Sequence, residues 1–231
     1  MLESKKNAVL AVDHEGNSPL HLACRCGNSA PILYLLSSLS FDTAFICSAV
    51  LQENKESNTP LHLACIRNHI AVIDCMLGHP ALSDECTHKA VMKHNKMGYT
   101  LLHIACNSVD ADLLKCILKH LKEDTIRLSL QSLTPNTGKS PLHLACEKNS
   151  LGIITCLLNI GFSKDLVKSV FHVLSVRNHS LLHAASRCRE SISIPKLLVE
   201  LQLCNVMHQN DRGDTAPVSY THLTLPTIYS V

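Results

Sequence analysis

Apolar residues in this chain come in short bursts set off by polar and turn-forming residues, and the bursts repeat. Ser18-Pro-Leu-His-Leu-Ala-Cys24 returns as Thr59-Pro-Leu-His-Leu-Ala-Cys65, Thr100-Leu-Leu-His-Ile-Ala-Cys106, Ser140-Pro-Leu-His-Leu-Ala-Cys146 and Ser180-Leu-Leu-His-Ala-Ala-Ser186, at intervals of 41, 41, 40 and 40 residues. A sixth copy opens at Gly213-Asp-Thr-Ala216 and goes no further. Each copy predicts a helix start. Ser or Thr supplies a capping oxygen, and Pro in three of the five copies fills the first helical position, where a missing N–H costs nothing. Leu20, Leu22 and Ala23 and their equivalents fall on a packing face, and the small residue at the Cys24 position permits close approach of a neighbour. A second apolar-periodic segment follows a short turn at Gly27, Asn68, Val109 or Asn149 and covers 32–36, 72–77, 113–118 and 153–158, with 194–201 as a slightly shifted fifth. Two such short helices cannot bury an apolar face alone, so stability is expected from stacking of neighbours.

The period leaves residues over after the second helix, and these also repeat. Asp42, Asp84, Asp124 and Asp165 each precede an apolar patch, which predicts a short extra helix capped by its Asp.

The heptapeptide resembles the ankyrin signature Thr-Pro-Leu-His-Leu-Ala over residues 13–203, and Asp13-His-Glu-Gly16 resembles that family's Asp-x-x-Gly turn. The resemblance implies an all-α, ankyrin-type α-solenoid of stacked helix-turn-helix repeats with short finger loops. The departure is in length: ankyrin repeats span about 33 residues, and the surplus here is assigned to the extra short helix. The organisation expected is an N-terminal flank at 1–12 and an array at 13–216 with repeats starting near 13, 54, 95, 135, 175 and 210. After Ala216 the motif gives way to Pro217-Val-Ser-Tyr-Thr-His-Leu-Thr-Leu-Pro-Thr227. Read as codons, residues 218–227 look like a transposase-based sequencing adapter, so 217–231 is expected to be a non-native tail and the natural chain to continue beyond 216.

Composition narrows the function. A formal net charge of +2 with dispersed basic residues gives no stripe for a phosphate backbone, so nucleic acid is not expected as a partner. Aromatic content of 3% without Trp argues against stacking platforms. No apolar run reaches the length of a membrane span, and no export signal is visible at the N-terminus, so a cytoplasmic or nuclear setting is expected. The twelve cysteines then read as reduced thiols. Cys24, Cys65, Cys106 and Cys146, with Cys75, Cys116 and Cys156 ten residues after the last three, are expected as small buried hydrophobes. Cys26, Cys47, Cys86, Cys188 and Cys204 show no metal-type spacing.

No phosphate loop or catalytic motif is present, so no enzyme, cofactor or metal is expected. His21, His62, His103, His143 and His183 occupy one repeat position, but equivalent atoms of stacked helices lie roughly 8–10 Å apart, too far to share an ion. The ankyrin resemblance implies instead a turn-locking role for these rings. Asn178-His-Ser180 matches a glycosylation pattern and is discounted at a helix cap. Ser191, near Arg187 and Arg189, matches a basic-directed phosphorylation pattern that is common by chance.

The resemblance also implies a partner-binding concave face built from finger tips and the exposed end of each first helix. On it fall Asn17, Asn58, Tyr99, Lys139 and His179, just before each cap, and Arg25, Arg67, Lys148 and Arg187, just after the small residue. Tyr99 and the arginines are the expected anchors, since Tyr and Arg are enriched among hot spots, and the cations suggest an acidic protein partner. The leading expectation is a non-catalytic interaction module. Alternatives are the ankyrin region of a longer signalling enzyme or channel, or an NF-kappa-B-inhibitor-like regulator, to which residues 88–105 are similar at one junction.

Overall fold

The computed structural model describes residues 2–38, 41–108, 110–187 and 192–216. Val109, Cys188, Arg189, Ser191 and the tail 217–231 lie outside the described residues. Every named element is a helix. After α1 (Leu2–Leu10) the helices come in threes, and the first of each group carries the repeated motif. The first three groups are α2 (Pro19–Cys26), α3 (Ser29–Ser37) and α4 (Thr43–Leu51); α5 (Pro60–Ile66), α6 (Ile70–Leu77) and α7 (Asp84–Met92); and α8 (Leu101–Asn107), α9 (Asp112–Leu118) and α10 (Glu123–Gln131). A fourth is α11 (Pro141–Glu147), α12 (Leu151–Asn159) and α13 (Lys164–Phe171), followed by α14 (Leu181–Ala185) and α15 (Ser193–Glu200).

The chain divides into two compact units, one of residues 1–105 with 112–129, the other of 106–111 with everything from Leu130 onward. In the first, α2 packs on α5, α3 on α6, α6 on α9 and α4 on α7. In the second, α11 packs on α14 and α12 on α15. Like therefore stacks on like, and the buried set is what the stacking needs: Leu61, Ala64, Ile73, Met76, Leu102 and Leu114 are fully enclosed. Leu20 and Ala23 are buried as the pattern predicts, but Leu22 and Leu63 stay half exposed, whereas Leu144 at the same motif position is buried.

The predicted turns hold where they are described. Gly27, Asn68 and Asn149 all take positive φ, at 74°, 56° and 53°, a conformation that Gly and Asn adopt most readily.

The inserted segment is the short extra helix that the repeat predicts, eight or nine residues long like its neighbours, and only its capping residue needs correction. Asp42 does cap α4, accepting the Phe45 N–H at 2.7 Å. In α7 and α13 Ser takes that role: Ser83 accepts from the Cys86 N–H and Ser163 from the Leu166 N–H, both at 3.2 Å. Asp84, Asp124 and Asp165 lie inside the first turn, where their charge still favours the positive end of the helix dipole. Two cysteine assignments also change: Cys75 is only half buried, and Cys86, given no place in the repeat, is buried against Cys47 across α4 and α7.

Candidate functional site

Each repeat opens with a tight loop ahead of its first helix, and its geometry follows from one side chain. Asp13 accepts the Glu15 and Asn17 N–H groups at 2.9 and 2.8 Å while its own carbonyl accepts the Gly16 N–H. The Asn17 and Glu15 donors hold the Asp13 carboxyl below the usual range. Asn54, Asn95 and Asn210 build the same loop with a side-chain oxygen, while Thr134 and Ser175 use a hydroxyl. Successive loops are tied by a backbone rung: Lys55 N–H to Glu15 O at 3.0 Å, Lys96 N–H to Glu56 O at 2.9 Å, and Val176 N–H to Gly138 O at 3.2 Å. Among the described residues the one β-type pairing is an isolated bridge, Gln209 with Thr215, so these fingers are loops and no hairpin strands form.

Below the fingers the motif histidines lock one repeat to the next. The backbone N–H of Ser18, Thr59, Thr100 and Ser140 donates to Nδ1 of the histidine three residues on, at 3.1–3.3 Å. Nδ1 must therefore be unprotonated, which places the ring proton on Nε2. From there it is donated to a carbonyl of the next repeat's finger: His21 to Asn58 at 2.9 Å, His62 to Tyr99 at 3.1 Å, His143 to His179 at 3.0 Å and His183 to Asp214 at 3.0 Å. The ring replaces the Glu or Gln of an ordinary capping box and adds a tie between repeats. Burial pushes the His62 ring down to about 4 and lowers His21 and His143 in the same sense. The core thiols Cys24, Cys65, Cys106 and Cys146 are driven up by burial, which keeps them protonated and unreactive.

The structure spreads the nine expected binding residues unevenly. Arg25, Arg67, Lys148 and Arg187 are exposed. Tyr99 and His179 are half buried, each ring stacked on its motif histidine with centroids 6.0 and 5.5 Å apart. Lys139 is half buried and paired with Glu147 at 2.7 Å. Asn17 corrects the expectation: it is 2% exposed, and its amide bonds to Asp13, Glu15 and Asn54. Asn58 likewise accepts from Asn95 at 3.0 Å. Both close a finger, so their variability is not that of a free surface.

In the second unit the fingers and first helices enclose a groove. Its larger hollow, about 590 Å³, is lined by Arg177, Arg187 and Arg212 with His179, Asp211 and Asp214; an adjoining one of about 430 Å³ adds Lys139 and Glu147. Arg177 and Arg212 are exposed finger-tip residues that the motif reading passed over. Their signal is in the sequence: each is the middle residue of its five-residue finger, where the first two fingers carry Glu15 and Glu56. Glu147 is shared between Lys139 and Arg187, at 2.7 and 3.4 Å. Among the described residues one set of metal-capable donors gathers, Asp74, Cys116 and His120, on and after second helices and away from the fingers.

The family descriptions "Ankyrin repeats (3 copies)" and "Ankyrin repeat" match residues 82–168, and 15–43 with 56–82, respectively. No curated protein matches the chain in sequence. Among solved structures it is similar to the ankyrin repeat protein EF0377, with a TM-score of 0.66 at 20% identity, covering 88% of this chain and 90% of that one. It is also similar to the ankyrin repeat domain of Bcl-3, described as a unique member of the IkappaB protein family, with a TM-score of 0.59 at 20% identity, covering 88% and 93%. At that identity the likeness concerns the fold. No described helix is long and apolar enough to cross a membrane.

Proposed function

The chain belongs to the ankyrin repeat proteins, and on that premise we propose that it is a non-catalytic module that grips an acidic segment of another protein in the groove of its second unit. What carries the reading is the contrast within the fingers: the turn-forming atoms recur from repeat to repeat, while the tips change from Glu15 and Glu56 to Arg177 and Arg212. Arg177, Arg187 and Arg212 line one groove, and guanidinium groups recognise carboxylates by paired hydrogen bonds as well as by charge. Glu147, held by Lys139 and Arg187, would release Arg187 to the incoming carboxylate. Tyr99, Arg67 and Arg25, in the first unit, would add contacts outside the groove.

Affinity capture on residues 1–216, followed by titration of the recovered partner, tests this. The double substitution Arg177→Glu and Arg187→Glu is expected to weaken the recovered complex by roughly tenfold or more, chiefly through lost charge complementarity, with the helical circular dichroism unchanged. Raising the salt should weaken the wild-type complex and narrow that difference. Equal binding by the variant would remove the groove from the site. A loss confined to Tyr99→Ala and Arg67→Ala would move the site to the first unit.

A further inference from the structure

We infer that Asp74, Cys116 and His120 form a three-ligand site for a zinc-like divalent cation that staples the second repeat to the third. Equivalent positions of stacked helices lie too far apart to share an ion, but these three are not equivalent. Asp74 stands on α6, whereas Cys116 and His120 are four residues apart on and just beyond α9, a spacing that puts two side chains on one helical side. Since α6 and α9 pack on each other, the carboxylate meets the thiol and the imidazole across the seam, and all three ligand atoms lie within 4.8 Å of one another.

The separations suit an ion. His120 Nε2 is 2.7 Å from Asp74 Oδ1 and Cys116 Sγ is 3.9 Å from it. Zinc bond lengths in a tetrahedral arrangement call for about 3.3 Å between nitrogen and oxygen and about 3.5 Å between sulfur and oxygen. Both are reached by side-chain shifts well under 1 Å. The donor set of one thiolate, one imidazole and one carboxylate is the borderline mixture that zinc accepts, with the fourth position left to water.

The surroundings hold the donors in place. Cys116 is buried, with its thiol also directed at the Ile70 carbonyl, 3.7 Å away, so it already faces α6. The His120 ring lies over Gly78, where an added Cβ would come within 2.9 Å of Cε1; a larger residue there would push the ring off Asp74. Among the described residues Lys119 stands against the ion, with Nζ 2.5 Å from Asp74 Oδ1. Its side chain is 54% exposed and can swing into water. On binding, the Cys116 thiol releases its proton to solvent, His120 coordinates through Nε2 and keeps its proton on Nδ1, and Asp74 exchanges two hydrogen bonds for one metal bond.

Cobalt(II) reports each of these contacts, since thiolate ligation gives a near-ultraviolet charge-transfer band and four-coordination gives intense visible bands. The full chain, reduced and freed of metal with a chelator, is expected to take up one equivalent with both signatures. Cys116→Ser should abolish the charge-transfer band, and Asp74→Asn and His120→Gln should each weaken binding at least tenfold. Lys119→Ala should tighten it severalfold, an effect that mere loss of structure would not produce. Absence of a one-equivalent complex, a band that survives Cys116→Ser, or weaker binding in Lys119→Ala would each overturn the site.

Discussion

Replacing His62 by alanine is expected to cost about 3 kcal/mol of stability. The ring is fully buried. Its removal strands the Thr59 backbone N–H and the Tyr99 carbonyl, which it joins at 3.2 and 3.1 Å, and leaves a void. An unsatisfied buried group costs about 1–3 kcal/mol, and a void adds to that. Because one bond is within a helix cap and the other reaches the next repeat, the variant should loosen two repeats together. Urea denaturation followed by circular dichroism checks this, with the exposed His14→Ala as a control expected to change stability by less than about 0.5 kcal/mol. A His62→Ala midpoint equal to wild type would show that the tie between repeats carries no weight.

Acidification should undo the same tie. The His62 ring in the folded chain protonates only near 4, whereas an unfolded histidine does so near 6.5. A depressed folded value means that its stabilising contribution is complete above about pH 6.5 and is lost as the pH falls toward 4, since the unfolded chain binds the proton first. The shift corresponds to about 3 kcal/mol at its limit. His21 and His143 add to the loss in the same direction, also because burial opposes their charge. Burial opposes the charge on the His62 ring, and a proton on Nδ1 would also confront the N–H of the capping residue, which already occupies that lone pair. Denaturation midpoints measured from pH 7 to pH 4 should fall steadily through this window, and the dependence should be shallower in His62→Gln. Midpoints that stay level down to pH 4.5 would mean that the rings are not held neutral.

Much of this was legible in the residues. The period, the helix starts and the turns at Gly27, Asn68 and Asn149 rest on local chemistry, namely a capping hydroxyl, a proline and a left-handed backbone, which a sequence states directly. The cap of the third helix was less legible, because Ser83 and Asp84 are adjacent and both can cap; only the backbone shows which one precedes the first turn. Asn17 illustrates a different limit. Its place before a cap is shared with Tyr99, but its short amide folds back into the finger while the tyrosine ring stacks on His103. The cluster of Asp74, Cys116 and His120 was out of reach of a comparison between equivalent positions, since it joins different columns of adjacent repeats. Arg177 and Arg212 become a pair only when the groove between their fingers is seen.

Underlying all of this is the claim that each repeat is a unit supported by its immediate neighbours, so that one can be removed and the stack can close again. Excising residues 54–94, one full period of 41, joins Glu53 to Asn95 and brings an equivalent finger into the vacated place. Far-ultraviolet circular dichroism with thermal melting should find the shortened chain still strongly helical and still melting cooperatively, at a lower temperature than the full chain. A shortened chain without helical minima or without a cooperative transition would contradict the claim.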